Sequence, residues 1–412
     1  MRTYRELFRQ PEFTPLFLTV SVKSAAQTVT GLALGTLVYA RTGSPLLSSL
    51  AMFGPSLAQL LGATTLLSAA DRLPPRAALT GLGLVFGAAT AVQAAPGLPV
   101  WAVFAVLLGL GVLASLNGGI TYGLLNEILV RKGFLIGRSV LNMANGTMQI
   151  CGFALGGLLI HVLTARGTLL VGAGLYLASA AFARFGLTHR PPRAAGRASV
   201  AETWRTNALL WSSKPRRYVY LALCVPNGLI VGCESLYVPY APQQAGLLFA
   251  FAACGMLIGD TVVGRFVPAA WRARGGPLLR LLLAVPYLVF FLHPALPFAL
   301  ATVLVASIGF AATLLLQERL MALTPDALSG HALGLHTSGM LTMQGVGAAL
   351  AGGVAQFTSP ATAMTLLAAA SVVVTLALER GLRPDRAPAD ATTACGQAPR
   401  PAPVREDGTP TG

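Results

Sequence analysis

Apolar runs of about 20 residues, the length a helix needs to cross a bilayer core, recur along the whole chain, separated by short charged or proline-containing breaks. Of the 412 residues 54% are hydrophobic and only 10% charged, and the mean hydropathy is +0.67. That composition does not describe a soluble surface. The breaks place spans near 14–38, 46–67, 77–95, 99–121, 140–163, 167–187, 218–239, 243–264, 276–293, 296–316, 332–356 and 360–379. The expected class is therefore an all-α integral membrane protein with twelve transmembrane helices. The first apolar stretch is too long for the core of a cleaved signal peptide and no small-residue cleavage site follows it, so it is expected to stay as a helix.

A formal net charge of +15 raises the possibility of nucleic acid, and its distribution argues against that. With the N-terminus in the cytoplasm, only Arg41 and Arg166 among 29 basic residues fall in outward loops, and Lys23, Arg184 and Arg280 fall inside spans, the last two near inner ends. The excess is thus a topology signal of the positive-inside kind, with both termini cytoplasmic. A nucleic-acid footprint would gather those charges on one folded face. The five cysteines, Cys151, Cys224, Cys233, Cys254 and Cys395, show no ligand-pair spacing, so neither a metal site nor a disulfide framework is expected. No phosphate loop, nucleophile elbow or paired catalytic carboxylates occur, so no enzyme and no cofactor are expected.

The chain repeats itself. Asp71 and Arg76 stand five apart after the second span, as Asp260 and Arg265 do at the eighth. Glu127 ends "LLNE" after the fourth span and Glu318 ends "LLQE" after the tenth, while "TMQ" at Thr147–Gln149 returns at Thr342–Gln344. Between the sixth and seventh spans lies a proline- and arginine-rich segment whose middle, "SVAETWRTNALLW", reads as a short interfacial helix. The organisation expected is a bundle over 1–187, a cytoplasmic linker over 188–216, a second bundle over 217–380 and a disordered tail over 381–412.

On these residues the chain resembles the major facilitator superfamily, whose members build transporters from two parallel-repeat six-helix bundles. "LLSAADRLPPR" (Leu66–Arg76) is similar to that family's loop signature between helices two and three, with Asp71 as the acid and Arg72 and Arg76 as the bases, and Leu67 and Pro74 standing where the family has glycine. The resemblance implies a cytoplasmic latch. Asp71 would sit against the start of the eleventh helix near Gly330 and His331, and Asp260 against the start of the fifth near Gly137, at helix N-termini that favour negative charge. Arg72, Arg76 and Arg265 would pair with Glu127 or Glu318, and these contacts would form only when the cytoplasmic side is closed. "GFALGG" resembles a fifth-helix exporter signature in which Gly152, Gly156 and Gly157 would form a packing hinge or seal, with Phe153 in place of the family's proline. The fourth-helix arginine of proton-coupled exporters is absent from "WAVFAVLLGLGVLASLNGGITYG".

Charges inside spans are costly and mark functional candidates. Lys23 lies about nine residues, roughly 14 Å, into the first helix, with Gln27 one turn on. The resemblance implies that both line a central cavity, and snorkelling of the lysine toward the headgroups is the alternative. Glu234 is the one acid well inside a span, roughly 24 Å along the seventh helix, and reads either as a proton-coupling carboxyl or as an outer-interface acid. Asn117, Thr121, Gln149, Asn227 and Gln344 are further cavity candidates, with interhelical hydrogen bonding as the alternative.

The function this implies is secondary active transport by a membrane-embedded monomer, most simply export of a small amphiphilic or hydrophobic compound, with protons as the coupling partner. Uptake by the same fold and a non-transporting sensor or scaffold are the alternatives. Replacing Asp71 by Asn is expected to weaken transport while leaving membrane insertion intact; an unaltered transport rate would remove the latch.

Overall fold

The structure, a computed structural model, describes residues 4–70, 73–129, 131–192, 200–325 and 328–382. Twelve helical spans run through them. The first four are α1 (Phe13–Thr42), α2 (Pro45–Ala70), α3 (Pro75–Gln93) and α4 (Val100–Ile128). A continuous helical run, Arg131–Gly186, turns at Thr164, where φ is 68° and ψ 167°, and its arms 131–163 and 165–186 are α5 and α6. The second set begins with α7 (Lys214–Ser235, continued by Tyr237–Tyr240) and α8 (Ala245–Thr261, ending in the π turn Val262–Phe266). It continues with α9 (Ala269–Ala284, then the 3-10 segment Val285–Leu292) and α10 (Leu296–Ile308 and Ala312–Ala322, joined through Gly309–Ala311). It closes with α11 (Ser329–Phe357) and α12 (Pro360–Leu382), and a linker helix, Val200–Ser212, lies between the two sets.

Lipid offers no partners to backbone amides, so a chain of this composition satisfies them within helices. Eight stretches are both long and apolar enough to cross a bilayer, one of them the bent run that holds α5 and α6. The remaining spans, α1, α2 and α11, reach 30, 26 and 29 residues. Punctuation is sharp where turns are tight. α1 stops at Gly43, whose φ of 63° is left-handed and whose N–H caps Tyr39 O at 2.8 Å, and Pro45 at once opens α2.

Two spans outrun the apolar pattern. α4 continues to Ile128 and α10 to Ala322, because "LLNEI" and "LLQERL" are good helix formers and a helix leaving the hydrocarbon has no reason to stop. Glu127 and Glu318 therefore sit in helices and not in the breaks between them.

The end of the assembly that carries Phe13 and Leu382 is the terminal face; the opposite end is distal. Within the N-terminal half, a terminal core forms around Phe13, Leu16, Leu116, Ile120 and Leu124, and a distal one around Leu37, Ala51, Val103 and Leu169. The C-terminal half has its own terminal core around Val219, Leu223, Leu316 and Leu320. Its distal core is different. That cluster, built on Leu236, Tyr237, Phe249, Tyr287 and Phe290, takes in Leu32 of the other half, with Tyr39, Met52, Phe53 and Phe153 packed against it. The two bundles share a core at the distal end.

The repeat is visible in that contact. A Cβ placed on Gly157 of α5 would lie 2.9 Å from Gly246 Cα of α8, and one placed on Gly352 of α11 would lie 2.6 Å from Leu46 Cα of α2. These are one crossing made twice, by residues at equivalent places in the two halves. Beside the first, Phe153 and Phe249 stack with ring centroids 4.5 Å apart. Three hydrogen bonds also cross there among the described residues: Ser44 Oγ donates to Gln356 Oε1 at 2.8 Å, Ser49 Oγ to Ser235 O at 3.2 Å, and Ser235 Oγ to Ser49 Oγ at 3.0 Å.

Gly157→Val should force α5 and α8 apart, at a stability cost of about 1–3 kcal/mol for overpacking, and raise the labelling rate of a cysteine introduced at the fully buried Ser49. Unchanged labelling would mean that the crossing does not close the distal side.

Candidate functional site

The site is assembled from three places: the space between the bundles, the charged ends of helices on the terminal face, and polar groups sealed inside each half.

On the terminal face the charges engage partners in their own half. Arg190, just beyond α6, reaches Glu12 at 2.8 Å and Glu127 at 3.3 Å, tying the start of α1 to the end of α4. In the other half Arg280 of α9 pairs with Glu379 of α12, and Arg319 of α10 donates to Leu382 O. Asp71 and Arg72 lie outside the described residues. Arg76 occupies the first turn of α3 and Glu318 stands on α10 at the rim of a pocket. Asp260 and Arg265 are exposed, with no hydrogen bond or ion pair to a described residue. Gly137, the expected seat of Asp260, packs on Leu125, Leu129 and Phe13 of its own bundle. Arg265 stands in the π turn, closed by Val267 N–H to Val262 O at 3.2 Å, and the wider turn re-aims it relative to Asp260.

The intramembrane candidates separate. Gln27 is the single exposed position between Phe13 and Tyr39 of α1, and Gln149 on α5 is exposed as well. Gln344 is half-buried on α11. Lys23 instead lines a cavity of about 10 Å³ inside the N-terminal half, with Thr19, Gly83, Phe86, Asn117, Tyr176 and Ser179. That is room for about one water. Asn117 Oδ1 is buried there without a partner, and Thr121 Oγ1, one turn along α4, is buried and unpaired as well. The lysine thus faces α3, α4 and α6 within its own bundle.

Glu234 is 6% exposed and its Oε1 has no hydrogen-bond partner. It lies within the distal half of the C-terminal core, in electrostatic reach of Tyr237 and Tyr287, whose hydroxyls bond each other. Its neighbour Ser235 is the residue that meets Ser49 of the other half. Asn227, two turns earlier on the same face of α7, is also 6% exposed with Oδ1 unpaired.

The three glycines divide. Gly152 packs on Thr28 and Gly156 on Val29 and Leu32, all of α1 in the same half, and only Gly157 meets the other half. Gly347, the repeat equivalent of Gly152, packs likewise on Gly228 of α7.

Sequence reasoning missed the Arg190 bridge and the environment of His336. That histidine is 3% exposed, with Nε2 3.1 Å from Gln317 Nε2 and Nδ1 unpaired. The single hint was that Gln317 is the repeat equivalent of Asn126; nothing in the sequence said which helix would face position 336.

No protein-family model matches the chain, and no curated protein matches it in sequence. Solved structures do match its shape. A bacterial homologue of the human lysosomal transporter Spinster, in an inward-facing and unoccupied conformation, aligns over 93% of this chain and 97% of its own, with a TM-score of 0.68 at 14% identity. A POT family transporter in complex with 5-aminolevulinic acid covers 89% of this chain and 95% of its own, with a TM-score of 0.69 at 10% identity. The nucleoside transporter NupG covers 89% and 99%, with a TM-score of 0.65 at 17% identity. The chain has the major facilitator fold: twelve transmembrane helices in two parallel-repeat bundles.

If Lys23 faces the bundle interior and Gln27 the space between the halves, a cysteine at 27 should react with a membrane-impermeant charged thiol reagent at least tenfold faster than one at 23. Equal rates would place both on the same surface.

Proposed function

Starting from the major facilitator fold, we propose that this protein is a secondary active transporter that works by alternating access and exports a small amphiphilic or hydrophobic compound in exchange for protons. The moving bodies are residues 1–187 and 217–380, joined by a linker over 188–216 and followed by a tail over 381–412. What supports this reading is the contact between the bundles: they share a core and hydrogen bonds distally, while the terminal-face ion pairs of Arg190 with Glu12 and Glu127 and of Arg280 with Glu379 lie within one half each. A scaffold with no transport cycle has no need to concentrate its inter-bundle contact at one end.

In this state the protein is open toward the terminal face, which the arginine-rich composition assigns to the cytoplasm. Of the latch residues, Asp260 and Arg265 make no ion pair with a described residue, and Arg190 bonds Glu127. Closing the face brings Asp71 to the start of α11 and Asp260 to the start of α5. Substrate occupies the space bordered by Gln27, Gln149 and Gln344, where neutral polar groups suit a weakly charged compound. The resident site is in the cytoplasmic membrane and the working unit is a monomer.

Glu234 carries the proton. An ionised carboxylate buried without a partner is strongly disfavoured, so the group is suited to bind a proton when sealed and release it when wetted. The α2–α7 seam at Ser49 and Ser235 parts when the distal side opens, which exposes the acid beside it to the distal solution.

In proteoliposomes, hits from a ligand-stabilisation screen should be transported faster under an imposed proton gradient, and Glu234→Gln should cut the gradient-driven component at least tenfold while leaving gradient-free exchange largely intact. Undiminished proton-driven flux in that variant would remove Glu234 as the carrier, and no flux of any hit in the unaltered protein would end the transport reading.

A further inference from the structure

A second polar site lies at the opposite end of the C-terminal half from Glu234. There α8, α10 and α11 border an open pocket of about 560 Å³, large enough for a small organic molecule. Its walls are mostly apolar, from Val263, Leu314, Leu315, Met321 and Leu333, with the amide of Gln317 and the carboxylate of Glu318 as its polar groups. Behind that amide stands His336, fully enclosed, with one ring nitrogen against Gln317 and the other unpaired.

The chemistry of this pair has two states. Gln317 Nε2 is a donor only, so the imidazole Nε2 that faces it must offer its lone pair, and the ring proton resides on Nδ1. The amide's Oε1, bonded by no described residue, is then what the pocket receives. If the ring takes up a proton, its Nε2 becomes a donor and can no longer face an NH₂ group. A half-turn of the amide about Cγ–Cδ restores the bond with Oε1 toward the ring, and presents NH₂ to the pocket. The titratable groups of the surrounding elements at this end include Tyr220 and Cys224 of α7, Asp260 and Arg265 of α8, Glu318 and Arg319 of α10, His331 of α11 and Glu379 and Arg380 of α12. Of these, Cys224 Sγ contacts the backbone O of His336 at 3.9 Å and Tyr220 Oη reaches Ala332 O at 3.4 Å, so neither contact engages the ring.

We propose that this pocket binds a small, mostly apolar molecule through one hydrogen bond to Gln317, and that the protonation state of His336 decides whether the pocket accepts a donor-bearing or an acceptor-bearing ligand. With neutral His336 a donor such as a phenol is favoured over a ligand that can only accept; with protonated His336 the pocket offers NH₂ to any acceptor, and that advantage is lost. The inference deepens the transport reading, because it gives the terminal side its own means of coupling protons to substrate, yet it concerns binding alone and is tested without flux.

The test uses the full-length purified protein and two photoreactive probes, a diazirine-bearing phenol and its methyl ether, which can only accept. Labelled peptides are mapped by mass spectrometry at about pH 8 and about pH 5.5, on either side of the ordinary histidine range. At the higher pH the phenol should label the peptides holding Leu314–Met321 or Leu333 about fivefold more than the ether, as expected for one matched hydrogen bond, and at the lower pH that preference should vanish or reverse. His336→Asn should keep labelling but lose its pH dependence, and Gln317→Leu should lose the preference at both pH values. A preference indifferent to pH in the unaltered protein, a pH dependence that survives His336→Asn, or labelling that avoids these peptides would overturn the proposal. Failure here leaves the flux result untouched, and failed flux leaves the labelling result untouched.

Discussion

Two helices that touch at glycine hold the halves together. In lipid no hydrophobic force draws helices toward each other, so association rests on van der Waals packing at short range, and that requires small residues where backbones cross. Gly157 and Gly246 meet with no side chain between them, and Gly352 admits the backbone at Leu46 in the same way on the other side of the pseudo-axis. The stacked pair Phe153 and Phe249 fills the space beside the first crossing. These contacts lie toward the distal end, where the two halves also share a hydrophobic core.

The charges on the terminal face complement that arrangement. Arg190 spans Glu12 and Glu127, and Arg280 pairs with Glu379, so each bundle is tied internally at this end. Partly exposed ion pairs of this kind contribute little stability individually.

Buried polar atoms without partners are rare in folded proteins and call for a reason. Here Asn227, Glu234 and His336 each leave one in the C-terminal half, and Asn117 and Thr121 do so in the N-terminal half. Glu234 stands beside the distal seam and His336 beside the terminal pocket, at the two ends of the same bundle. A structural role would have filled these positions with apolar residues at lower cost, so their presence directs attention to chemistry in which a proton comes and goes.

What the sequence determined by itself was the class of solvent and the number and order of the crossings. Apolar length, charge bias and the repeat of Asp71 and Arg76 in Asp260 and Arg265 are local or periodic properties, and the bilayer leaves helices as the only way to satisfy the backbone. Tertiary structure alone decided which face each polar residue presents. Lys23 and Gln27 lie one turn apart and read alike, yet one enters a cavity inside its bundle and the other stays exposed. Gly152 and Gly157 belong to one motif, yet one packs on its own half and the other on its neighbour. Helices that are apolar all round carry no periodic signal of orientation, so rotation about each axis is settled by the shapes that neighbouring helices offer, and His336 could find Gln317 only once α10 and α11 were in place.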